Sequence, residues 1–593
     1  MAIIGFDFGT TNSLVSIIHD GRPINYMEDG QPIPSVACYE GTQKVLGREA
    51  KRRLDQAGLG VHGNIVRSPK RYLGRESVFV EGVERSPVQI ASDVIGHVLE
   101  VTRGKDPGEL EGAVVTIPVG MHGYQRKALR EAFSLAGLPI IQFVHEPMAA
   151  LYAYCRNQGL EVFEREYGHK LLLVFDWGGG TLDLTLCRLQ GGMLIQINND
   201  GTDEVGGDNF DEAIMNSLIQ RVMKTNNLSP GTDIHPGAKA RLLEKCEAAK
   251  IALSSRDSAV VYLSSFFVGD RDDFEVNLTQ EELGVIIKPL LDKGFRRIEN
   301  LMDKAGYSAG EVALCLATGG MSGLPAIQSR LLEWFGPERL KIPGELGTLI
   351  AEGAAWVAHD EARVTLAKTV ELQLARDGLL PLLKSGTKLP DEGTVMHREY
   401  HLFCSDPRDG TAKFQVLSPT RPGGSPLPNE PRRILGTMTV EVQSDATVFE
   451  ERIELNITID DNLILRAEAS SLIRGDQDSC EIHDLEFGLS FGTTGRIAVD
   501  PTPTGKRNHS KVPKSPAPSA KWPKDKGQLM LRSNLAETAD WSIVPGELLH
   551  TYGRHFFDVR LNLSTKIQRD EFFYYEPCSL CGRVSRHTDC AAH

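Results

Sequence analysis

The chain has 593 residues, of which 41% are hydrophobic and 24% charged, a composition that leaves room for several globular domains. Its net charge of −14 argues against a surface that binds nucleic acids generally. No apolar run reaches the length of a membrane-spanning helix, and the N-terminal segment lacks the pattern of a secretory signal. We therefore expect a cytoplasmic protein that neither crosses a membrane nor binds nucleic acid.

Two short stretches share one pattern. Residues 6–13 read FDFGTTNS, and residues 175–183 read FDWGGGTLD. Each follows an apolar strand-like run, places an Asp at its end, turns on Gly and Thr, and continues as a second strand-like run. Such a turn exposes backbone N–H groups to phosphate oxygens, and an Asp beside it holds a divalent cation through water. The repeat predicts two similar lobes that bind one nucleotide between them.

The pattern of apolar residues divides the chain into four parts. Residues 1–360 alternate strand-like runs with longer helical patterns, which predicts an α/β domain. Residues 369–490 are rich in strand patterns, such as the alternation of apolar and polar side chains over 453–459, and predict an antiparallel β-sandwich. Residues 491–527 are rich in Pro and Lys and predict an extended linker, whereas residues 528–593 regain aromatic residues and predict a small separate module.

Further motifs follow the two hairpins in the order of one known family. They are PSV (34–36), LGREAK (46–51), PKRYLGR (69–75), VTIP (115–118), HEPMAA (145–150), VGGDNFD (205–211), CEAAKIALSS (246–255) and TGG (318–320). In this series the chain resembles the seventy-kilodalton heat-shock chaperones of the actin/hexokinase ATPase superfamily, strongly over residues 1–360 and more loosely over 361–490. The resemblance implies an α/β, actin-like, two-lobed ATPase domain followed by the β-sandwich.

The resemblance also implies the residues of an ATPase site, whose chemistry depends on positioning and charge neutralisation. It implies that Asp7 and Asp176 hold a hydrated Mg²⁺, and that Lys70 and Glu146 act near the γ-phosphate. Asp183 is either part of the metal shell or a cap of its hairpin. The implied catalytic residues are Asp7, Lys70, Glu146, Asp176 and Thr181. The implied nucleotide-binding residues are Gly9, Thr10, Thr11, Asn12, Gly178, Gly179, Gly180, Gly206, Gly207, Glu247, Lys250, Ser254, Gly319 and Gly320.

Three features depart from the family pattern. Gly323 stands where the family has an Arg that stacks on adenine, so we expect weaker binding of the base. The connector at 363–368 lacks the acidic residue and the run of leucines of the family's linker, so we expect altered coupling between nucleotide and peptide binding. Residues 491–593 lack the pattern of the family's helical lid, so we expect faster release of peptide.

The end of the chain carries a candidate metal site. A Cys-x2-Cys pair is followed closely by a His and a Cys, a spacing typical of tetrahedral zinc sites, with Gly582 permitting the turn. The four predicted structural Zn²⁺ ligands are Cys578, Cys581, His587 and Cys590. The alternative is that these are reduced thiols at the end of the chain.

The leading functional hypothesis is an ATP-dependent, chaperone-like protein that hydrolyses ATP to control the binding of extended polypeptide segments. The expected cofactors are ATP/ADP, Mg²⁺, K⁺ and structural Zn²⁺, and the expected partners are unfolded polypeptides, a J-domain co-chaperone and a nucleotide-exchange factor. One alternative is a nucleotide-gated interaction or sensor protein that acts on one dedicated partner through its β and zinc modules. Another is a small-molecule kinase of the same superfamily, although the Lys70 and Glu146 segments and the β region argue against it.

Overall fold

The computed structural model describes residues 2–56, 63–80, 82–229, 232–268, 273–344, 347–374, 378–404, 407–422, 431–446 and 450–491. This part of the chain forms two compact units. The first unit comprises the residues up to Val364 together with Glu486–Phe491, and the second unit comprises Thr365–Leu485. The predicted linker beyond Phe491, the predicted module at 528–593 and the four predicted zinc ligands lie outside the described residues.

The first half of the first unit contains a sheet with strand order β11-β10-β1-β2-β3, and β4 also pairs with β2. The elements of this half are β1 (Ala2–Phe8), β2 (Asn12–His19), β3 (Arg22–Tyr26), β4 (Ile33–Pro34), β5 (Val36–Glu40), β6 (Gln43–Leu46), α1 (Gly47–Gln56), β7 (Ile65–Arg67), a 3-10 turn (Pro69–Tyr72), β8 (Val78–Val80), β9 (Val83–Arg85), α2 (Pro87–Arg103), β10 (Leu110–Ile117), α3 (Gly123–Leu135) and β11 (Ile140–His145).

The second half of this unit contains a second sheet, which includes the run β18-β17-β12-β13-β14. The elements of this half are α4 (Glu146–Gln158), α5 (Leu160–Tyr167), β12 (Leu171–Trp177), β13 (Leu182–Gln190), β14 (Met193–Thr202), α6 (Gly207–Thr225), α7 (Ala238–Ala252), β15 (Ser258–Leu263), β16 (Phe274–Thr279), α8 (Gln280–Ala305), β17 (Val312–Thr318), α9 (Pro325–Arg339), β18 (Leu340–Lys341), α10 (Leu349–His359) and β19 (Val364–Leu366).

The two sheets share one topology. In each, three antiparallel strands follow one another along the chain, β1-β2-β3 in the first and β12-β13-β14 in the second. In each, the first of these strands also pairs in parallel with a strand that comes after a helix, β10 beside β1 and β17 beside β12. The predicted repeat of the hairpin motif is thus a repeat of a whole sheet, and each motif forms the turn between the first two antiparallel strands.

Helix α10 packs closely against the elements that carry the first hairpin. A Cβ atom built on Gly353 would lie 1.8 Å from the carbonyl oxygen of Ala149 in helix α4. A Cβ built on Gly5 of strand β1 would lie 2.1 Å from the backbone nitrogen of Ala355. Because only glycine permits these contacts, helix α4, which begins at Glu146, is held at a fixed distance from strand β1.

The second unit is a β-sandwich, as the alternating pattern predicts. Two four-stranded antiparallel sheets, β21-β20-β23-β24 and β22-β25-β26-β27, contribute the buried side chains, among them Val416, Met438 and Leu455. Its strands are β20 (Val370–Leu374), β21 (Gly378–Leu383), β22 (Val395–Phe403), β23 (Thr411–Pro419), β24 (Arg432–Glu441), β25 (Arg452–Asp460), β26 (Leu465–Ser471) and β27 (Gln477–Ile482).

The end of the predicted sandwich has a different position from the one expected. Strand β28 (Phe487–Ser490) pairs antiparallel with β14 and thereby joins the second sheet of the first unit. Phe487 and Leu489 are buried there. The sandwich therefore ends at Leu485 and not at residue 490, because the last strand-like pattern of this region forms hydrogen bonds with another domain's sheet. Among the helices of the described ranges, none is long and apolar enough to span a membrane.

Candidate functional site

The two Gly/Thr hairpins meet in the first unit. Gly178 donates its N–H to the carbonyl of Thr181 at 2.9 Å, which closes the second turn. A Cβ atom on Gly179 would lie 2.2 Å from Oγ1 of Thr11, and one on Gly180 would lie 2.6 Å from Oγ1 of Thr10. Since real Cβ atoms do not approach so closely, glycine at both positions is what lets the hairpins touch.

A cavity of about 270 Å³ lies between the two hairpins. All but two of the implied catalytic and nucleotide-binding residues line it. Those that line it are Asp7, Gly9, Thr10, Thr11, Asn12, Lys70, Glu146, Asp176, Gly178, Gly179, Gly180, Thr181, Glu247, Lys250, Ser254, Gly319 and Gly320.

The two exceptions, Gly206 and Gly207, lie behind the second hairpin. A Cβ on Gly206 would lie 2.3 Å from the carbonyl oxygen of Gly180. The first turn of helix α6 also donates to the hairpin, from Gly207 N to Gly178 O at 3.1 Å and from Asp208 N to Gly179 O at 2.8 Å. These glycines therefore fix the shape of the hairpin and do not line the cavity.

Four carboxyl groups converge: those of Asp7, Glu146 and Asp176, which line the cavity, and that of Asp183, which stands beside Asp176. Asp176 and Asp183 stand opposite each other in the β12–β13 register and are buried, as is Glu146, whereas part of the Asp7 surface is exposed. Oδ1 of Asp7 accepts a hydrogen bond from the Thr116 hydroxyl at 2.8 Å. Oδ1 of Asp183 accepts one from the backbone N–H of residue 119 at 3.0 Å.

The convergence of these groups raises their pKa values. Loss of solvation and the negative charge of Glu146 raise the pKa of Asp7 to about 6 and the pKa of Asp183 to about 7, from the ordinary 3.8. The same causes, with the charges of the two neighbouring aspartates added, raise the pKa of Asp176 well above its usual range. A cation bound among these groups would favour their ionised forms.

Lys70 places one positive charge beside this cluster. Its Nζ lies 2.7 Å from Oε1 of Glu146, and both residues are buried. Lys70 lies in the 3-10 turn at Pro69–Tyr72, which follows Ser68 in the left-handed conformation with φ of 53°. Glu146 is the first residue of helix α4, where the helix dipole favours a negative charge.

Several buried polar atoms at the cavity lack a partner within the described residues. Among them are Oγ1 of Thr11, Oδ1 of Asp176 and Oδ1 of Asp211, and Oδ2 of Asp183 beside the cavity also lacks a partner there. A buried polar atom without a hydrogen bond is unfavourable by about 1–3 kcal/mol. Carboxylate oxygens suit hydrated Mg²⁺, and a hydroxyl beside glycine N–H groups suits phosphate oxygens. The residues present therefore fit a phosphate-bound Mg²⁺.

The outer part of the cavity combines fixed charges with an apolar wall. Nζ of Lys250 bonds to Oδ2 of Asp211 at 2.8 Å and to the carbonyl of Gly207 at 3.0 Å. Glu247 forms ion pairs with Lys51 at 3.4 Å and with Arg67 at 3.5 Å. Sequence reasoning missed the apolar lining residues Ile251, Met321, Leu324 and Ile350. The signal for Met321 and Leu324 was their position on either side of Gly323, and the sequence offered no such signal for Ile251 and Ile350.

Comparisons with known proteins show the family to which the chain belongs. The family model described as "Hsp70 protein" matches residues 3–81 and 76–490. The "Chaperone protein DnaK" of Mycoplasma mycoides subsp. mycoides is 32% identical over 360 residues, which are 60% of this chain and 58% of the relative. The protein of the same name from Thermus thermophilus is 28% identical over 519 residues, which are 81% of this chain and 80% of the relative. Because the family model covers most of the chain, this protein belongs to the Hsp70 family.

Proposed function

We propose that this protein is a chaperone-like ATPase that hydrolyses ATP to control its binding of extended polypeptide segments. The observation that carries the proposal is the buried Lys70–Glu146 pair beside three aspartates, at the point where two glycine-rich hairpins meet. The family supports ATPase chemistry of the chaperone type, and the two relatives described above are chaperone proteins by name.

Each part of the site has a role in this proposal. The N–H groups and hydroxyls of the two hairpins bind the phosphates, and Asp7 and Asp176 hold the metal's water shell. Bound Mg²⁺ supplies positive charge to the phosphate oxygens. Nζ of Lys70 donates a hydrogen bond to a γ-phosphate oxygen or to the attacking water, and Glu146 accepts a hydrogen bond from that water.

The second unit supplies a candidate peptide site. A pocket of about 300 Å³ has an apolar floor and a polar rim. The floor consists of Leu374, Leu402, Phe403, Cys404 and Phe414, and the rim of Gln373, Lys413, Gln415 and Thr437. A pocket with an apolar floor suits an extended chain, since such a pocket selects a side chain while main-chain hydrogen bonds give affinity.

The polar rim also favours a second candidate function. Three of its residues are amides or a cation, which would discriminate among peptides more strongly than an apolar groove would. That property suits a nucleotide-gated protein with one dedicated partner. The J-domain and exchange-factor partners, the K⁺ site and the cytoplasmic location remain predictions.

Replacement of the lysine tests the catalytic assignment. Lys70→Ala should abolish ATP turnover and leave nucleotide binding in place, because the hairpins still bind the phosphates while the cation beside the γ-phosphate is lost. Turnover by the full-length protein and binding of labelled ATP are the two measurements. The exposed Lys170, changed to Ala, is the matched control. Turnover at the parent rate in Lys70→Ala would remove Lys70 from the mechanism.

Binding of peptide tests the proposed function itself. A labelled extended peptide should bind the protein, and its Kd should change between the ATP and ADP states, because a chaperone of this family couples the two events. Fluorescence anisotropy measures both values. Phe414→Glu at the pocket floor should weaken binding, whereas Val395→Glu at an exposed position should not. Absence of binding to a panel of varied peptides would favour the dedicated-partner alternative.

The raised carboxyl pKa values predict release of protons when the metal binds. At a pH of about 6.5 Asp183 and part of the Asp7 population carry protons, and a nearby cation lowers both pKa values, so Mg²⁺-nucleotide binding should release them. The release should vanish at a pH of about 9, where both groups are ionised. Calorimetry in two buffers of different ionisation enthalpy measures it.

Asp183→Asn provides the control for this measurement. Protons released by the nucleotide itself are common to the parent and the variant, so the difference between them reports the carboxyl group. An equal release from both proteins at a pH of about 6.5 would show that Asp183 is already ionised.

The predicted zinc site can be tested on the purified protein. We expect one Zn²⁺ per chain, lost when Cys578 and Cys581 are both changed to Ser, because four protein ligands complete a structural tetrahedral site. Elemental analysis measures the metal directly. A reduced, full-length protein without zinc would mean that these residues are free thiols. Deletion of 528–593 should leave basal ATP turnover nearly unchanged.

A further inference from the structure

The segment that follows the sandwich completes a sheet of the first unit. Strand β28 pairs with β14 in the register Leu194–Leu489 and Ile195–Gly488. The pairing continues beyond the strand, because Phe491 donates its N–H to the carbonyl of Gly192 at 3.0 Å. Leu489 is 1% exposed, so the strand is held by side-chain burial as well as by backbone hydrogen bonds.

A buried glutamine joins this strand to the interior. Oε1 of Gln196, in strand β14, accepts the backbone N–H of Phe487 at 2.7 Å, and its Nε2 lies 2.9 Å from Nδ1 of His145. Gln196 is fully buried. A backbone N–H can only donate, so the amide oxygen must face Phe487 and the amide nitrogen must donate to His145. Nδ1 of His145 is then an acceptor, and its proton is on Nε2.

His145 adjoins the catalytic carboxylate. It is the N-cap residue of helix α4 and directly precedes Glu146, the partner of Lys70. Its ring packs edge-on against Phe487 with a centroid distance of 5.4 Å. Burial and the nearby charge of Arg126 lower the pKa of His145 to about 3, so the ring is neutral and suited to accept the Gln196 hydrogen bond.

Residues 362–364, which lead from the first unit into the second, contact strand β11. Gln142 of strand β11 donates to the carbonyl of Ala362 and accepts the N–H of Val364, both at 3.2 Å. Arg363 and Ser490 exchange hydrogen bonds at 3.0 and 3.1 Å. Strand β11 is therefore hydrogen-bonded directly to residues 362–364, which precede the sandwich. Through His145, its last residue, and Gln196 it is also connected to strand β28, which follows the sandwich.

We propose that strand β28 positions Glu146 through Gln196 and His145, so that docking of this strand and binding of nucleotide are coupled. Gln196 is a positioning residue in this arrangement. The inference rests on the proposed nucleotide site. Undocking of β28 would remove the N–H of Phe487 from the fully buried amide oxygen of Gln196. Because an unpaired buried oxygen is unfavourable, the strand should be either docked or undocked and not displaced gradually. Coupling between two sites is reciprocal, so nucleotide must in turn stabilise the docked strand.

Hydrogen–deuterium exchange of the full-length protein tests the coupling without reference to turnover. Mg²⁺-ATP should slow amide exchange in 487–491 by about five-fold or more, the lower end of ordinary coupling strengths. The hairpins at 9–12 and 178–181 report nucleotide binding in the same samples. Protected hairpins with unchanged exchange in 487–491 would overturn the coupling and leave the ATPase proposal standing. Unprotected hairpins would overturn both.

A glutamine variant tests the route of the coupling. Gln196→Met keeps the size of the side chain and removes both hydrogen bonds, so the effect of Mg²⁺-ATP on 487–491 should disappear while the hairpins remain protected. Gln190→Met, at an exposed position of the adjacent strand, should keep the full effect. A glutamine with a merely structural role would change exchange equally with and without nucleotide. A nucleotide effect that persists in Gln196→Met would therefore remove Gln196 from the route.

Discussion

The structure of the first unit depends on negative charge gathered at one place. Asp7, Glu146, Asp176 and Asp183 converge there, and Lys70 pairs with one of them. Each carboxyl loses solvation and is repelled by its neighbours, which disfavours the ionised forms and raises three of the pKa values. Such a cluster is unfavourable unless a cation offsets its negative charge. The features that make the cluster unfavourable without a cation therefore also make it a strong binding site for one.

The repeated topology explains how the chain assembles this cluster. Strands β1 and β12 each end near an aspartate, and the parallel neighbour of each strand places a threonine opposite it, Thr116 near Asp7 and Thr318 opposite Asp176. The turns that follow approach each other because Gly179 and Gly180 leave room for the hydroxyls of the first hairpin. Two similar halves thus supply equivalent groups from opposite sides.

The sequence was informative where function depends on local chemistry. The two hairpins were predicted from short motifs, because a phosphate-binding turn needs particular residues at adjacent positions, whereas the roles of Lys70 and Glu146 were inferred from the family resemblance. The sandwich was predicted from its alternating strands. The sheet that strand β28 joins was not predicted, because the alternation of Phe487 and Leu489 indicates a strand without indicating which sheet it pairs with. The supporting role of Gly206 was equally hidden, since a glycine that permits close approach looks like one that contacts a ligand.

Strand β28 lies directly after the sandwich, at the place where the family has its lid. The family resemblance places a helical lid directly after the sandwich, whereas in this chain the corresponding segment pairs with strand β14 of the first unit. Phe487 and Leu489 are buried against the second sheet of the first unit, so these two side chains are not available to cover a peptide groove. The match to the family model ends at residue 490, which is the last residue of this strand. The described residues after the sandwich, 486–491, thus belong to the first unit, and our proposal couples their docking to the binding of nucleotide there.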